Sequence, residues 1–186
     1  MRNLTNKIGL FIVALLIISH VAWADLEAPP FPYVTVSKYG RYYFKMIPDK
    51  QNSFDRESGS GYCYKVTTEL KDKVLWTTKG WYSFSTHLSD DGKYLIRIGN
   101  WPIGTALSDD DLAVAFYKEG QLISSYSTED LVKDSSAIEI TVSHYSWLSE
   151  IKDLEPFSYR FSIVTIDNIE YIFDIENGKI VSQKKL

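Results

Sequence analysis

From Tyr33 onward, hydrophobic and polar residues alternate in short runs broken by glycine or acidic turns, a period-two pattern that predicts half-buried strands. The runs repeat. Ser37-Lys38-Tyr39-Gly40-Arg41-Tyr42-Tyr43-Phe44-Lys45-Met46 lines up with Ser89-Asp90-Asp91-Gly92-Lys93-Tyr94-Leu95-Ile96-Arg97-Ile98, an offset of 52 residues. Tyr42, Phe44 and Met46 on one face match Tyr94, Ile96 and Ile98, and glycine supplies the positive φ that a tight turn requires. Val34 and Val36 before the first turn correspond to Thr86 and Leu88 before the second, so each element is a hairpin. At the same offset Tyr62 and Tyr64 fall on Val114 and Phe116 as third strands. Val74-Leu75-Trp76 and Leu122-Ile123-Ser124-Ser125-Tyr126 follow as fourth strands.

The C-terminal third is less regular. Phe161 to Ile166, Tyr171 to Ile175 and Lys179 to Val181 read as strands, with Asn177-Gly178 as a hairpin signal. It lacks the serine-to-glycine turn and is expected to be a degenerate third unit or a closing meander. Helix is scarce: Ser127 precedes the acid Asp130 by three residues, the spacing of a capping box opening one or two turns. The fold class that follows is all-β, built from repeated antiparallel four-stranded meanders, in one domain over 33–186. Its units span about 33–78, 82–126 and 143–183.

The turn phrase Leu88-Ser89-Asp90-Asp91-Gly92-Lys93-Tyr94-Leu95 resembles the hairpin of WD40-like β-propeller repeats, whose blades are four-stranded meanders. Ser37 to Phe44 resembles a weaker copy with Lys38-Tyr39 where the aspartate is expected. The resemblance implies blade-like meanders and says little of function, since propellers scaffold, bind and catalyse. Three units are too few for a standard closed propeller. Two arrangements remain: a compact pair of sheets, the favoured one, or an open arc completed by another chain.

What precedes the domain changes the setting. Arg2 and Lys7 flank the start of an apolar run, residues 8–18, and Ala22-Trp23-Ala24 places small residues where a signal peptidase grips, so residues 1–24 read as a cleavable secretory signal. The run is shorter than the roughly 20 residues a membrane span needs. The expected product is secreted or periplasmic, with no stable membrane insertion after cleavage. Residues 25–32, with three prolines, read as an extended lead-in. Cleavage removes two basic residues and no acid, moving the net charge from −4 to −6, which argues against nucleic acid as a partner. Cys63 is the sole cysteine, so no intrachain disulfide can form, and between Tyr62 and Tyr64 it reads as a buried, inert thiol.

Motifs for chemistry are weak. His87 and His144, the two histidines beyond the leader, show no metal spacing, and Ser143 beside His144 would point to the opposite face if both lay in a strand. Ser58-Gly59-Ser60-Gly61 has the composition of a phosphate loop without the Lys-Ser/Thr pair that follows one, and reads as a connector between strands. Asp90-Asp91 and Asp109-Asp110-Asp111 read as solvated turn acids, without ligand spacing. No metal or cofactor is therefore expected. Aromatic residues are the strongest functional signal: 25 lie beyond the leader. Trp76, Trp81, Trp101, Tyr145 and Trp147, in or beside loops and strand ends, are the candidate binding residues, either filling a core or presenting flat faces to a protein or glycan partner. The function expected is an exported, non-catalytic binding or assembly domain, with oligomerisation compatible. The alternative is a small hydrolase or metal-dependent enzyme in which His87, His144 and a turn carboxylate converge.

Overall fold

The computed structural model describes residues 27–50, 58–152, 154–155 and 157–186, so residues 1–24, expected to be a secretory signal, lie outside the described residues. Three four-stranded antiparallel sheets follow one another, each a meander in chain order, and a two-stranded ribbon lies between the second and third. The first sheet comprises β1 (Tyr33–Val36), β2 (Tyr42–Pro48), β3 (Gly59–Lys65) and β4 (Lys73–Lys79). The second comprises β5 (Thr86–Leu88), β6 (Tyr94–Ile98), β7 (Leu112–Lys118) and β8 (Gln121–Ser127). A single helical turn, α1 (Thr128–Leu131), and the ribbon β9 (Glu139–Ile140) with β10 (Tyr145–Ser146) lead to the third, made of β11 (Leu148–Ile151), β12 (Arg160–Thr165), β13 (Ile169–Asp174) and β14 (Lys179–Lys185).

These are blade-like meanders, packed face to face in series. Phe44, Met46 and Cys63 of the first sheet meet Leu88, Leu95, Ala115 and Tyr117 of the second in one core. Tyr94, Ile96, Ile98, Val114 and Phe116, on the other side of the second sheet, meet Phe161, Ile163, Tyr171 and Phe173 in another. The middle sheet is thus covered on both faces, which explains why its strands read less alternately than the others. The favoured expectation of a compact sheet pair gives way to three sheets in a row, none closed into a barrel.

The repeat turn owes its form to side chain to backbone bonding. The Ser89 hydroxyl donates to Asp91 Oδ1 (2.6 Å) and accepts from the Tyr94 amide (2.9 Å), while Lys93 N–H donates to the same Asp91 oxygen (3.0 Å). In the first sheet Ser37 Oγ accepts from the Tyr42 amide at 3.2 Å, and Gly40 and Gly92 hold matching φ values of 67° and 70°. The third sheet builds the same device from other residues, between its second and third strands. Asn168 N–H donates to the Thr165 carbonyl (2.9 Å) with Asn168 at φ 59°, and Thr165 Oγ1 donates to Asp167. Threonine replaces serine, and asparagine tolerates the left-handed conformation in place of glycine. The Asn177-Gly178 hairpin forms as a four-residue connection, Asp174 pairing with Lys179. The capping box is present: Ser127 Oγ accepts from Asp130 N–H (3.1 Å) and Asp130 Oδ2 accepts from Ser127 N–H (2.9 Å).

Two sequence expectations are corrected here. Phe44 pairs with Cys63 and Ile96 with Phe116, so Cys63, not Tyr64, is the counterpart of Phe116. The β2–β3 and β6–β7 connections differ in length, and one residue of slip turns every side chain to the opposite face. Tyr62 and Tyr64 therefore lie on the side away from the second sheet. Gly59, Ser60 and Gly61 are strand rather than connector: a Cβ on Gly61 would stand 2.1 Å from the Phe44 ring, and one on Gly59 would stand 2.9 Å from the Ile47 carbonyl. Glycine is what admits the aromatic core at this point.

Cys63 is fully buried, its thiol 3.4 Å from the Gly92 carbonyl, and burial, with the charge of Asp91 adding to it, pushes its pKa up to about 12. Burial likewise raises Tyr145 to about 12, and burial with the Asp167 charge does the same for Tyr171. The native state keeps these protons while the unfolded chain releases them from about pH 9 upward, so stability present at neutral pH declines as alkalinity rises. The urea midpoint is expected to stay level from about pH 7 to 8 and to fall progressively above about pH 9. A thiol reagent at about pH 8 should titrate Cys63 only after denaturation; a level midpoint up to about pH 11 or an immediate native reaction contradicts this burial.

Candidate functional site

One cleft, about 300 Å³ in volume, gathers Trp101, Tyr145 and Trp147 with His144, Phe84 and Glu27. Its walls come from chain segments that precede or follow strands: the start of β5, the loop leaving β6, and the approach to β11. The loop is held from several sides. Gly99 N–H donates to the Ala113 carbonyl at 2.8 Å, and the side chain of Asn100 accepts from Phe84 N–H (3.3 Å) and donates to the Tyr82 carbonyl (3.2 Å). Trp101 N–H donates to Glu27 Oε1 (3.2 Å), and Ile103 bridges to His144.

These bonds hold the backbone and leave Trp101 44% exposed. Its indole stacks on the His144 imidazole with centroids 3.9 Å apart and an interplanar angle of 21°. His144 Nδ1 in turn lies 2.9 Å from Thr141 Oγ1 and 3.4 Å from Ser143 Oγ. Ser143 reaches the ring because it sits in a bend rather than in the strand assumed from sequence, and Thr141 is the nearer hydroxyl. Tyr145 is buried; its hydroxyl lies 2.7 Å from Thr128 Oγ1 and donates to Asp111 Oδ2 at 2.7 Å. Trp147 is buried in the core shared by the second and third sheets, under the cleft. The arrangement is a flat, rigid aromatic plate on a packed base, the geometry that stacking recognition requires.

The other two candidate aromatics lie elsewhere. Trp76 donates its indole N–H to the Gly92 carbonyl (2.8 Å), and its ring packs 5.6 Å from Phe44. Trp81 is buried, 5.2 Å from Tyr117, with the Arg97 guanidinium 4.7 Å over its ring. Both rings occupy the boundary between the first and second sheets. Glu27 and Phe84 were not singled out by sequence reasoning. A carboxylate 74 residues upstream carries no local signal that it will meet Trp101.

The histidines do not share a cleft. His87 is the middle residue of β5, its ring 5.1 Å from Phe161, in a larger cavity of about 440 Å³ with Asp90, Asp91, Arg41 and Tyr159. His144 lines the aromatic cleft instead. Among the described residues no group of three or more His, Cys, Asp or Glu is placed to hold a metal ion, and no helix is long and apolar enough to cross a membrane.

No family model matches this chain, and no curated protein matches it. Among solved structures, the crystal structure of Saccharomyces cerevisiae Sqt1 is similar at 11% identity and a TM-score of 0.35, the alignment covering 87% of this chain and 52% of that one. The chain therefore spans about half the length of that protein. The blade-like architecture is defined by the three meanders themselves.

Proposed function

We propose that this protein is an exported, non-catalytic binding module that captures a sugar ring of a glycan on the open face of Trp101. The observation that carries the reading is the Trp101 plate, partly exposed and stacked on His144 while its backbone is bonded to Glu27. An indole left uncovered on a rigid support offers apolar contact to the C–H face of a sugar without the entropy of ordering a loop. The cleft volume suits one ring rather than a folded domain. Export is supported by the charged start, apolar run and small-residue cleavage pattern of residues 1–24.

Titration with a panel of soluble neutral oligosaccharides, followed through the indole N–H resonances of the 15N-labelled protein, tests this. A saturable shift at Trp101, weakened about tenfold or more by Trp101→Ala, is expected. A panel without effect at Trp101, or binding unchanged in the variant, removes the glycan reading. Shifts produced instead by an apolar peptide would mark a protein partner.

A further inference from the structure

The cavity of about 440 Å³ that holds His87 shares no lining residue with the aromatic cleft. Its walls come from all three sheets: the end of β1 and the turn after it, β5 with the Ser89-Asp90-Asp91 turn, and the loop between β11 and β12 that carries Tyr159. Three carboxylates line it, and two of them are already satisfied. Asp91 accepts from Ser89 Oγ, the Lys93 amide and the Tyr159 hydroxyl (3.3 Å), with Lys93 Nζ 3.7 Å away. Glu155 accepts from Ser158 Oγ at 3.0 Å.

Asp90 and Arg41 are left. Both line the cavity, yet among the described residues neither has an ion-pair partner, so they do not reach each other across it. Asp90 Oδ1 is closed off from solvent with no hydrogen-bond donor beside it among the described residues. A carboxylate in that state is costly, and a cation brought to it offsets the cost. The remaining wall is largely apolar: Val36 is 57% exposed and Phe157 76%, and Leu88 and Ile175 line the cavity as well. Phe157 and Tyr159 hold φ values of 67° and 52°, a left-handed conformation that bulky side chains seldom take and that concentrates at ligand clamps.

We infer that this cavity binds a small zwitterion with an apolar body: an apolar amino acid, or a short peptide presenting the same two charged ends. The ammonium pairs with Asp90, the carboxylate with Arg41, and the apolar body covers Val36 and Phe157. A simple cation would leave Lys38 and Arg41 opposed to it, and a simple anion would face Asp90, Asp91 and Glu155. A neutral apolar molecule would leave Asp90 without its counter-charge. Arg41 suits the carboxylate end because a planar guanidinium can hold both oxygens at once. The volume suits a molecule of this size and is far too small for a folded partner.

The test is a titration of the 15N-labelled protein at neutral pH with leucine, phenylalanine and the dipeptide leucyl-leucine, each beside its N-acetylated and its amidated form. Saturable shifts of the amides of Arg41, Asp90 and Asp91 are expected from at least one of these zwitterions. Capping either end removes one charged pole and should weaken binding about tenfold or more, as should Asp90→Asn and Arg41→Gln. Arg41 is exposed, so its variant tests the site even if Asp90→Asn does not fold. Lys179→Gln, an exposed cation on β14 that lines neither cavity, should leave binding unchanged. No saturable shift around the cavity up to about 10 mM of any zwitterion overturns the inference. So does binding that is indifferent to capping or to Arg41→Gln, and so do shifts centred on Trp101, which would place the ligand in the aromatic cleft.

Discussion

Replacing Gly99 by alanine is expected to destabilise the fold by about 3 kcal/mol or more, at the upper end of what overpacking costs. A Cβ at this position would land on the carbonyl of Leu112, where the loop leaving β6 crosses the start of β7. Backbone cannot rotate aside as a side chain tip can, and the bond from Gly99 N–H to the Ala113 carbonyl holds the two segments together. The relevant comparison is Gly40→Ala, where a Cβ meets nothing within 4 Å and the only cost is the left-handed φ of 67°, about 1 kcal/mol. Urea denaturation of both variants separates the effects; equal midpoints would show that the crossing is looser than described. Because Gly99 also sets the position of Trp101, any Gly99→Ala protein that folds should show the proposed oligosaccharide binding weakened in step.

Phe116→Ala should cost about 3–5 kcal/mol. Phe116 is fully buried, its ring 5.1 Å from Phe173 across the interface with the third sheet and 6.5 Å from Tyr126 on the neighbouring strand. Truncation leaves a hole bounded by two sheets, and neither can collapse into it without giving up its other contacts. Leu122→Ala, 57% exposed on β8, serves as the control and should stay within about 0.5 kcal/mol of wild type. The measurement is again the urea midpoint, with the slope of the transition checked for constancy.

The parts of this fold that could be read from sequence are those fixed by local chemistry. Gly40 and Gly92 announce their turns because few other residues take that φ, and Ser127 with Asp130 announces a cap because both bonds lie within four residues. Alternation in Tyr42 to Met46 and Tyr94 to Ile98 gave the buried faces correctly. The reading fails where the deciding contact is distant. Nothing near Gly61 says that Phe44 will lie across it, so the glycines looked like a linker. The slip between Tyr64 and Phe116 arose because alignment by a constant offset cannot see a loop that differs by one residue. The third sheet's turn was missed because Thr165 and Asn168 perform the serine and glycine roles in a different hairpin.

The candidate site divides in the same way. Trp101-Pro102 after Gly99-Asn100 could be recognised as a loop, and an exposed tryptophan follows from that. Trp81 and Trp147, read from sequence as lying in or beside loops like Trp101, are buried, because their positions relative to other sheets depend on contacts that local sequence does not encode. His87 and His144 are separated by the same logic: they line different cavities, so the convergence required by a hydrolase does not occur in one cleft.

Each of the two cores joins sheets that are neighbours along the chain, the first with the second and the second with the third. Assembly can therefore keep pace with a polypeptide synthesised N-terminus first, every newly completed meander settling on the one already in place. The surface that each meander offers to the next waits only as long as the next fifty or so residues take to appear.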